Sequence, residues 1–169
     1  MNDSKLKIFD PIRYKNLHVT PEECVRQGLL TFLTDELGYP KNLIIVEKGL
    51  RTLLPLLNCK DTYLPKRRPD VLVITPTTYI DDMNKQHDFG HPKPLWLIEC
   101  KAEVINQKTI NQVLSYNYVI GAPCLSVVSY NKQKTGFINP ETQTLDFYPG
   151  LPSYSQLISY YLKIKRLNT

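Results

Sequence analysis

The runs at residues 68–75 (RPDVLVIT) and 94–102 (PLWLIECKA) constrain this chain more than any other feature. Each is strongly apolar and strand-like, and each carries charge embedded at one end. The stretch between them is polar and contains Pro and Gly, so the two runs read as an antiparallel hairpin with a long loop. In such a hairpin the start of the first strand lies beside the end of the second, which brings Asp70 next to Glu99. A register that pairs 70 with 99 also pairs 72 with 97 and 74 with 95, keeping Leu72, Ile74, Leu95 and Leu97 on one face. Strand alternation puts Glu99 and Lys101 on the same face, with Ile98 and Cys100 on the other.

The flanking segments supply helices and further strands. Thr20-Pro21-Glu22-Glu23 is a helix start: Thr20 caps, Pro21 suits the first helical position and Glu23 stands at the capping-box position. Val25, Leu29, Phe32, Leu33 and Leu37 form its apolar face, and Gly38 with Pro40 stops it. Residues 43–47 (LIIVE) form a short strand, and the apolar stretch 50–57 continues it or pairs with it as another. From about Asn106 to Ile120 the period becomes helical, with Ile110, Val113, Leu114 and Asn117 on one side, until Gly121 and Pro123 close it. Residues 124–128 are the next strand, 135–148 a terminal hairpin, and 153–167 a last helix with a cationic final turn. Residues 1–19 show no clear period. The order predicts an α/β domain whose mixed β-sheet is flanked by helices, in one unit over 1–169, with its core at about 20–130 and a C-terminal hairpin and helix at about 135–167.

Composition matters mainly for what it excludes. A chain of 169 residues has room for one domain. No apolar run approaches the ~18 residues of a membrane span, and the N-terminus has no apolar segment of a secretory signal, so a cytoplasmic protein is expected. The four cysteines, Cys24, Cys59, Cys100 and Cys124, contain no C-x-x-C pair and read as reduced thiols. A net charge of +5 is compatible with a polyanionic partner without requiring one.

Two carboxylates and a lysine at the end of a buried hairpin are costly unless something compensates them, and a hard divalent cation does so. Asp70, Glu99 and the carbonyl of Cys100 would hold Mg²⁺ (or Mn²⁺), with Lys101 beside a metal-bound water, a set suited to phosphodiester hydrolysis. The alternative is a solvated Glu99–Lys101 pair with Arg68 as a nearby counter-charge. Lys66, Arg67 and Arg68 either meet phosphates or form a solvated basic run. The loop residues Asp81, Asp82, His87, Asp88 and His91 resemble metal ligands by composition, but their spacing fits no zinc pattern. Trp96 faces away from Glu99 and reads as core.

These motifs carry a resemblance. Pro69-Asp70 followed by Glu99-Cys100-Lys101 resembles the PD-(D/E)XK nuclease superfamily, and Gln112-Val113-Leu114-Ser115-Tyr116 resembles the Q-x-x-x-Y signature of its RecB-like members. Gln112 and Tyr116 are i, i+4 neighbours that would form a polar ridge beside the site. Over most of residues 5–130, TPEECVRQGLLTFLTDELGYP, IIVEKGL, RRPDVLV, WLIECKA and QVLSYNYVIGAP look like the N-terminal nuclease domain of the R subunit of type I restriction enzymes. The resemblance implies a restriction-endonuclease-like core and a Mg²⁺-dependent deoxyribonuclease acting on DNA. In that family the domain precedes an ATP-driven motor, whereas this chain lacks even a Gly-Lys dipeptide for a P-loop. A separate motor or specificity subunit is therefore an expected partner, and a catalytically inactive module that binds nucleic acid or docks on such a protein is the rival expectation. The superfamily's further acidic residue on the first helix maps best to Glu22, which falls near the apolar face while Glu23 points away. Glu22 pairing with Arg26 is the competing reading, and Glu47 is a weaker candidate.

Overall fold

The computed structural model describes residues 6–56, 68–139, 141–142 and 144–167. Leu57, Cys59, Lys66 and Arg67 of the sequence reading lie outside the described residues. A six-stranded mixed sheet organises the molecule, in the order β10-β9-β8-β7-β4-β3. Its strands are β3 (Ile44–Val46), β4 (Val71–Ile74), β7 (Pro94–Cys100), β8 (Cys124–Val128), β9 (Gln133–Ile138) and β10 (Leu145–Pro149). Helices α1 (Pro21–Asp35) and α3 (Tyr154–Leu167) contribute to the apolar cluster on one face, and α2 (Gln107–Ile120) to the cluster on the other. Only the β7/β8 contact is parallel. A parallel pair needs a crossover connection, and α2 supplies it.

Local chemistry explains the helices. Thr20 accepts the Glu23 N–H at 3.1 Å with Pro21 opening α1. Past the end of α1 the chain turns through Gly38 at φ 75°, which lets the Tyr39 N–H reach the Leu33 carbonyl. Asn106 caps α2 through the Thr109 N–H, and Gly121 ends it at φ 71°. The buried Asn117 side chain bonds both the carbonyl and the N–H of Ala122, closing the turn into β8. The two apolar faces hold Leu30, Leu33, Val73, Trp96 and Leu157 on the α1 side and Leu72, Leu97, Val113 and Leu125 on the α2 side. Each such side chain contributes about 1.5–3 kcal/mol of burial. Trp96 is fully buried, as expected, and donates its Nε1–H to Ser126 Oγ at 2.8 Å.

The structure departs from the sequence expectations in five places. Residues 50–56 form a 3₁₀ segment, not a strand. Leu50 and Leu53 are its buried residues, a spacing of three that fits the 3₁₀ period, and Pro55 lacks an N–H to give a ladder. The loop between β4 and β7 contains its own hairpin, β5 (Thr78–Ile80) and β6 (Gln86–Asp88). Its turn is pinned by Asp81, which accepts the N–H groups of Met83 and Lys85 and meets His87 Nε2 at 2.8 Å. The N-terminal segment is likewise a hairpin, β1 (Lys7–Asp10) with β2 (Lys15–His18). In the β4/β7 pair the expected register holds for 71–98, 72–97 and 73–96, but a bulge sets Ile74 opposite Pro94. The extra residue turns Leu95 into the cluster of Trp96 and Ile98 and away from Leu97. On α2 the buried face is Thr109, Val113, Tyr116, Asn117 and Ile120, and Leu114, expected inside, is 39% exposed.

Candidate active site

The hairpin does what its pattern predicts: Asp70, just ahead of β4, and Glu99, near the end of β7, are neighbours. Asp70 is buried, and its Oδ2 accepts the Cys100 N–H at 2.8 Å while Oδ1 accepts Arg26 Nη2 at 2.7 Å. Glu99 is also buried, and its Oε1 accepts both Lys101 Nζ at 2.8 Å and Gln112 Nε2 at 2.5 Å. Glu99 Oε2 is buried and, among the described residues, has no hydrogen-bond partner. Lys101 Nζ also approaches Glu22 Oε1 at 3.5 Å, so it bridges the start of α1 to β7.

The protonation equilibria follow from this geometry. Burial, reinforced by the charge of Asp70 and only partly offset by Lys101, pushes Glu99 up to about 7. Asp70 is raised as well: burial dominates, although Arg26 and the Cys100 N–H oppose it. Burial would lower the Lys101 ammonium, yet its bond and attraction to Glu99, helped by Glu22, raise it, so it stays a cation. The Cys100 thiol is pushed well up by burial and is a neutral core group.

A second ionic group adjoins the first. Arg13 bonds Asp10, Glu23 and Glu47, and Arg26 bonds Glu23 and approaches Glu47 as well as holding Asp70. Gln27 Nε2 links Asp10 and Glu23. Glu47 sits at φ 48°, a left-handed conformation costly for a non-glycine residue, with its N–H on the Asp70 carbonyl. For Asp10, the hydrogen bonds from Arg13, Ile12 and Gln27 outweigh burial and hold its carboxyl below the usual range. Glu47 is also lowered, because Arg26, Arg13 and Arg68 outweigh burial.

Two sequence expectations are corrected here. Glu23 does not point away: it is buried, its carboxylate bound by Arg13, Arg26 and Gln27, since α1 packs on the β1–β2 hairpin as well as on the sheet. Tyr116 does not form an exposed ridge with Gln112, because the helix rotates it into the cluster of Leu97, Val113 and Ile120. Gln112 does reach the site. Glu22 meets Lys101 and not Arg26, whose carboxylate partners are Glu23, Glu47 and Asp70. The role of Arg26 was missed; its one visible signal is a charged residue on the apolar stripe of α1, beside Val25 and Leu29.

Among the described residues, no group of three or more His, Cys, Asp or Glu side chains is gathered around one metal position, in the 81–91 segment or elsewhere. What the site offers is a pair. Asp70 and Glu99 are buried side by side and, among the described residues, one Glu99 oxygen has no partner, which fits a hard cation bound by few protein oxygens and keeping several waters. Both Asp70 oxygens accept one hydrogen bond each, leaving lone pairs for such an ion.

Comparison with known families gives one result. The family model described as Type I restriction enzyme R protein N terminus (HSDR_N) matches residues 21–152, which contain every one of these site residues from α1 to α2. No curated protein and no solved structure matches the chain.

Proposed function

The chain belongs to the type I restriction enzyme R protein N-terminus family, and we propose that it is a metal-dependent nuclease domain hydrolysing DNA phosphodiester bonds. The observation that carries this reading is the unpartnered Glu99 oxygen beside Asp70, with Lys101 hydrogen-bonded to the same carboxylate. A buried acid kept near neutrality without a full set of donors costs stability, and such groups concentrate where chemistry needs them.

Asp70, Glu99 and the Cys100 carbonyl would hold Mg²⁺ or Mn²⁺, with Glu22 as an outer carboxylate on the Lys101 side. When bound, the ion lowers the pKa of a coordinated water and neutralises charge building on the phosphate. Arg26 and the Cys100 N–H fix the orientation of Asp70. Gln112 donates to Glu99 Oε1, which leaves Oε2 as the oxygen for the ion. Lys101 stays protonated and acts by orienting the attacking water and countering charge on the phosphate oxygens, not as a base. The partners in this reading are DNA and a motor or specificity subunit.

A second reading is a non-catalytic binding or assembly module. It is favoured by the Arg26–Asp70 bond, which already places a cation on one of the two acids. Incubating supercoiled plasmid with the protein, with Mg²⁺ or with EDTA, decides between them. The nuclease reading expects nicking in Mg²⁺, none in EDTA, and a loss of at least ~10²-fold for Glu99→Gln and Lys101→Ala. Equal behaviour of wild type and both variants, with or without metal, excludes catalysis at this site.

A further inference from the structure

The strand registers bring one end of every sheet strand to the same rim. Val46 pairs with Val71, Val71 with Ile98, Cys100 with Val128, Val128 with Gln133, and Lys134 with Pro149. The ends of β3, β7, β8 and β10 and the starts of β4 and β9 therefore lie side by side, with the Asp70–Glu99 pair in the middle. Across the whole sheet this rim is roughly 24 Å long, at about 4.8 Å per strand.

A groove flanks the site on each side, and the two differ in chemistry. The one at the β3/β4 end, about 490 Å³, is lined by the exposed cations Lys15, Lys48 and Arg68, and its one carboxylate among the described residues, Glu47, is bound by Arg13. The one at the β8/β9/β10 end, about 510 Å³, is lined by Tyr130, Lys132, Lys134 and Tyr148 and by no carboxylate. Among the described residues neither lysine has an acidic side chain within 4.0 Å. Tyr130 and Tyr148 are 60% and 57% exposed. The Tyr130 ring is nonetheless fixed, because its hydroxyl donates to the Pro21 carbonyl at 3.0 Å, next to Glu22. The groove begins on the strand next to the site: the Lys101 N–H bonds the Val128 carbonyl, and Tyr130 lies two residues beyond Val128.

We propose that this rim is a track for an unpaired polynucleotide strand. Its phosphates are held by Lys15, Lys48 and Arg68 on one side of the site, and its bases stack on Tyr130 and Tyr148, between Lys132 and Lys134, on the other. Exposed aromatic faces, that of Tyr130 already fixed, beside lysines with no acidic partner are the elements of single-strand binding, because any base offers a π-face once it leaves the duplex stack. A paired duplex hides those faces and would leave both tyrosines unused. The proposal takes its place in the reaction from the nuclease reading above, but strand binding does not require cleavage.

The test is fluorescence anisotropy with the full chain in EDTA and a labelled 12-nucleotide single strand, as DNA and as RNA, against a 12-base-pair duplex across a salt series. The expected result is tighter binding of single strand than duplex, and a loss of about tenfold for Tyr148→Ala. Lys132→Glu with Lys134→Glu should weaken binding further and make the salt slope shallower by about 0.7 per lost phosphate contact. All are exposed positions, so circular dichroism should show an unchanged fold. Either order of DNA and RNA is consistent with the track and names its substrate. Duplex bound as tightly as single strand, or Tyr148→Ala without effect, overturns it. Wild type that binds single strand in EDTA yet cuts nothing with Mg²⁺ supports the track and overturns the nuclease reading instead.

Discussion

Two groups of acids lie within one ionic neighbourhood, and they are treated oppositely. Asp10 and Glu47 are surrounded by Arg13, backbone N–H groups and Arg26, and their carboxyls sit below the usual range. Asp70 and Glu99 are pushed above it by burial and, for Glu99, by the charge of Asp70. The first group has its charge answered inside the protein and serves the fold. The second is left under-compensated by the protein's own groups, as the cation site proposed above would require. Arg26 belongs to both, with one nitrogen on Glu23 and the other on Asp70.

The largest effect should come from the compensated group. Arg13→Ala strips the cation from Asp10, Glu23 and Glu47 and is expected to cost about 3–5 kcal/mol in urea unfolding, the cost of leaving buried charge unpaired. A cost below ~1 kcal/mol would mean that this network is not what holds the β1–β2 hairpin to α1, and the contrast would collapse.

Next comes the pH dependence of the metal-free protein. The folded Glu99 keeps its proton up to about 7, whereas the unfolded chain loses it near the ordinary value of 4.5. The folded state therefore binds more protons across that window, and stability is present below it and lost as pH rises through it. Asp10 and Glu47 have the opposite sign: their contribution is present above the ordinary carboxylate range and is lost on acidification. In EDTA the unfolding free energy from urea titration should fall between pH 4.5 and about 7, by about 2–3 kcal/mol. Glu99→Gln should flatten that fall, and a flat wild-type profile would show that Glu99 is already compensated.

The smallest effect tests the sparse side alone. Gln112→Ala removes one donor from Glu99 and should cost about 1 kcal/mol of stability by equilibrium denaturation. A cost as large as that of Arg13→Ala would place Gln112 in the stabilising network instead.

Much of this was legible in the sequence where the governing interactions are local. The amphipathic period with Thr20 and Gly38 located α1, Asn106 and Gly121 bracketed α2, and the apolar runs at 68–75 and 94–102 made a hairpin that brings Asp70 to Glu99. The small hairpins β1–β2 and β5–β6 escaped because their strands are short and mostly exposed, so they carry no apolar alternation to read. The rotation of α2 escaped for a different reason: Tyr116 and Leu114 are both apolar enough to face a sheet, and only packing chooses between them.

The sequence by itself determined the central β4/β7 hairpin and that two acids and a lysine meet at one strand end, because strand alternation and antiparallel pairing are properties of neighbouring residues. Only the tertiary structure decided what surrounds those acids. Arg26 reaches Asp70 across 44 residues, and Lys101 reaches Glu22 across 79, distances over which no periodic pattern connects the partners. The same holds for the bulge that moves Leu95 and for the two unlike grooves along the rim. Each arises from how separate elements seat against one another, and that is decided by the shape and burial of the whole core.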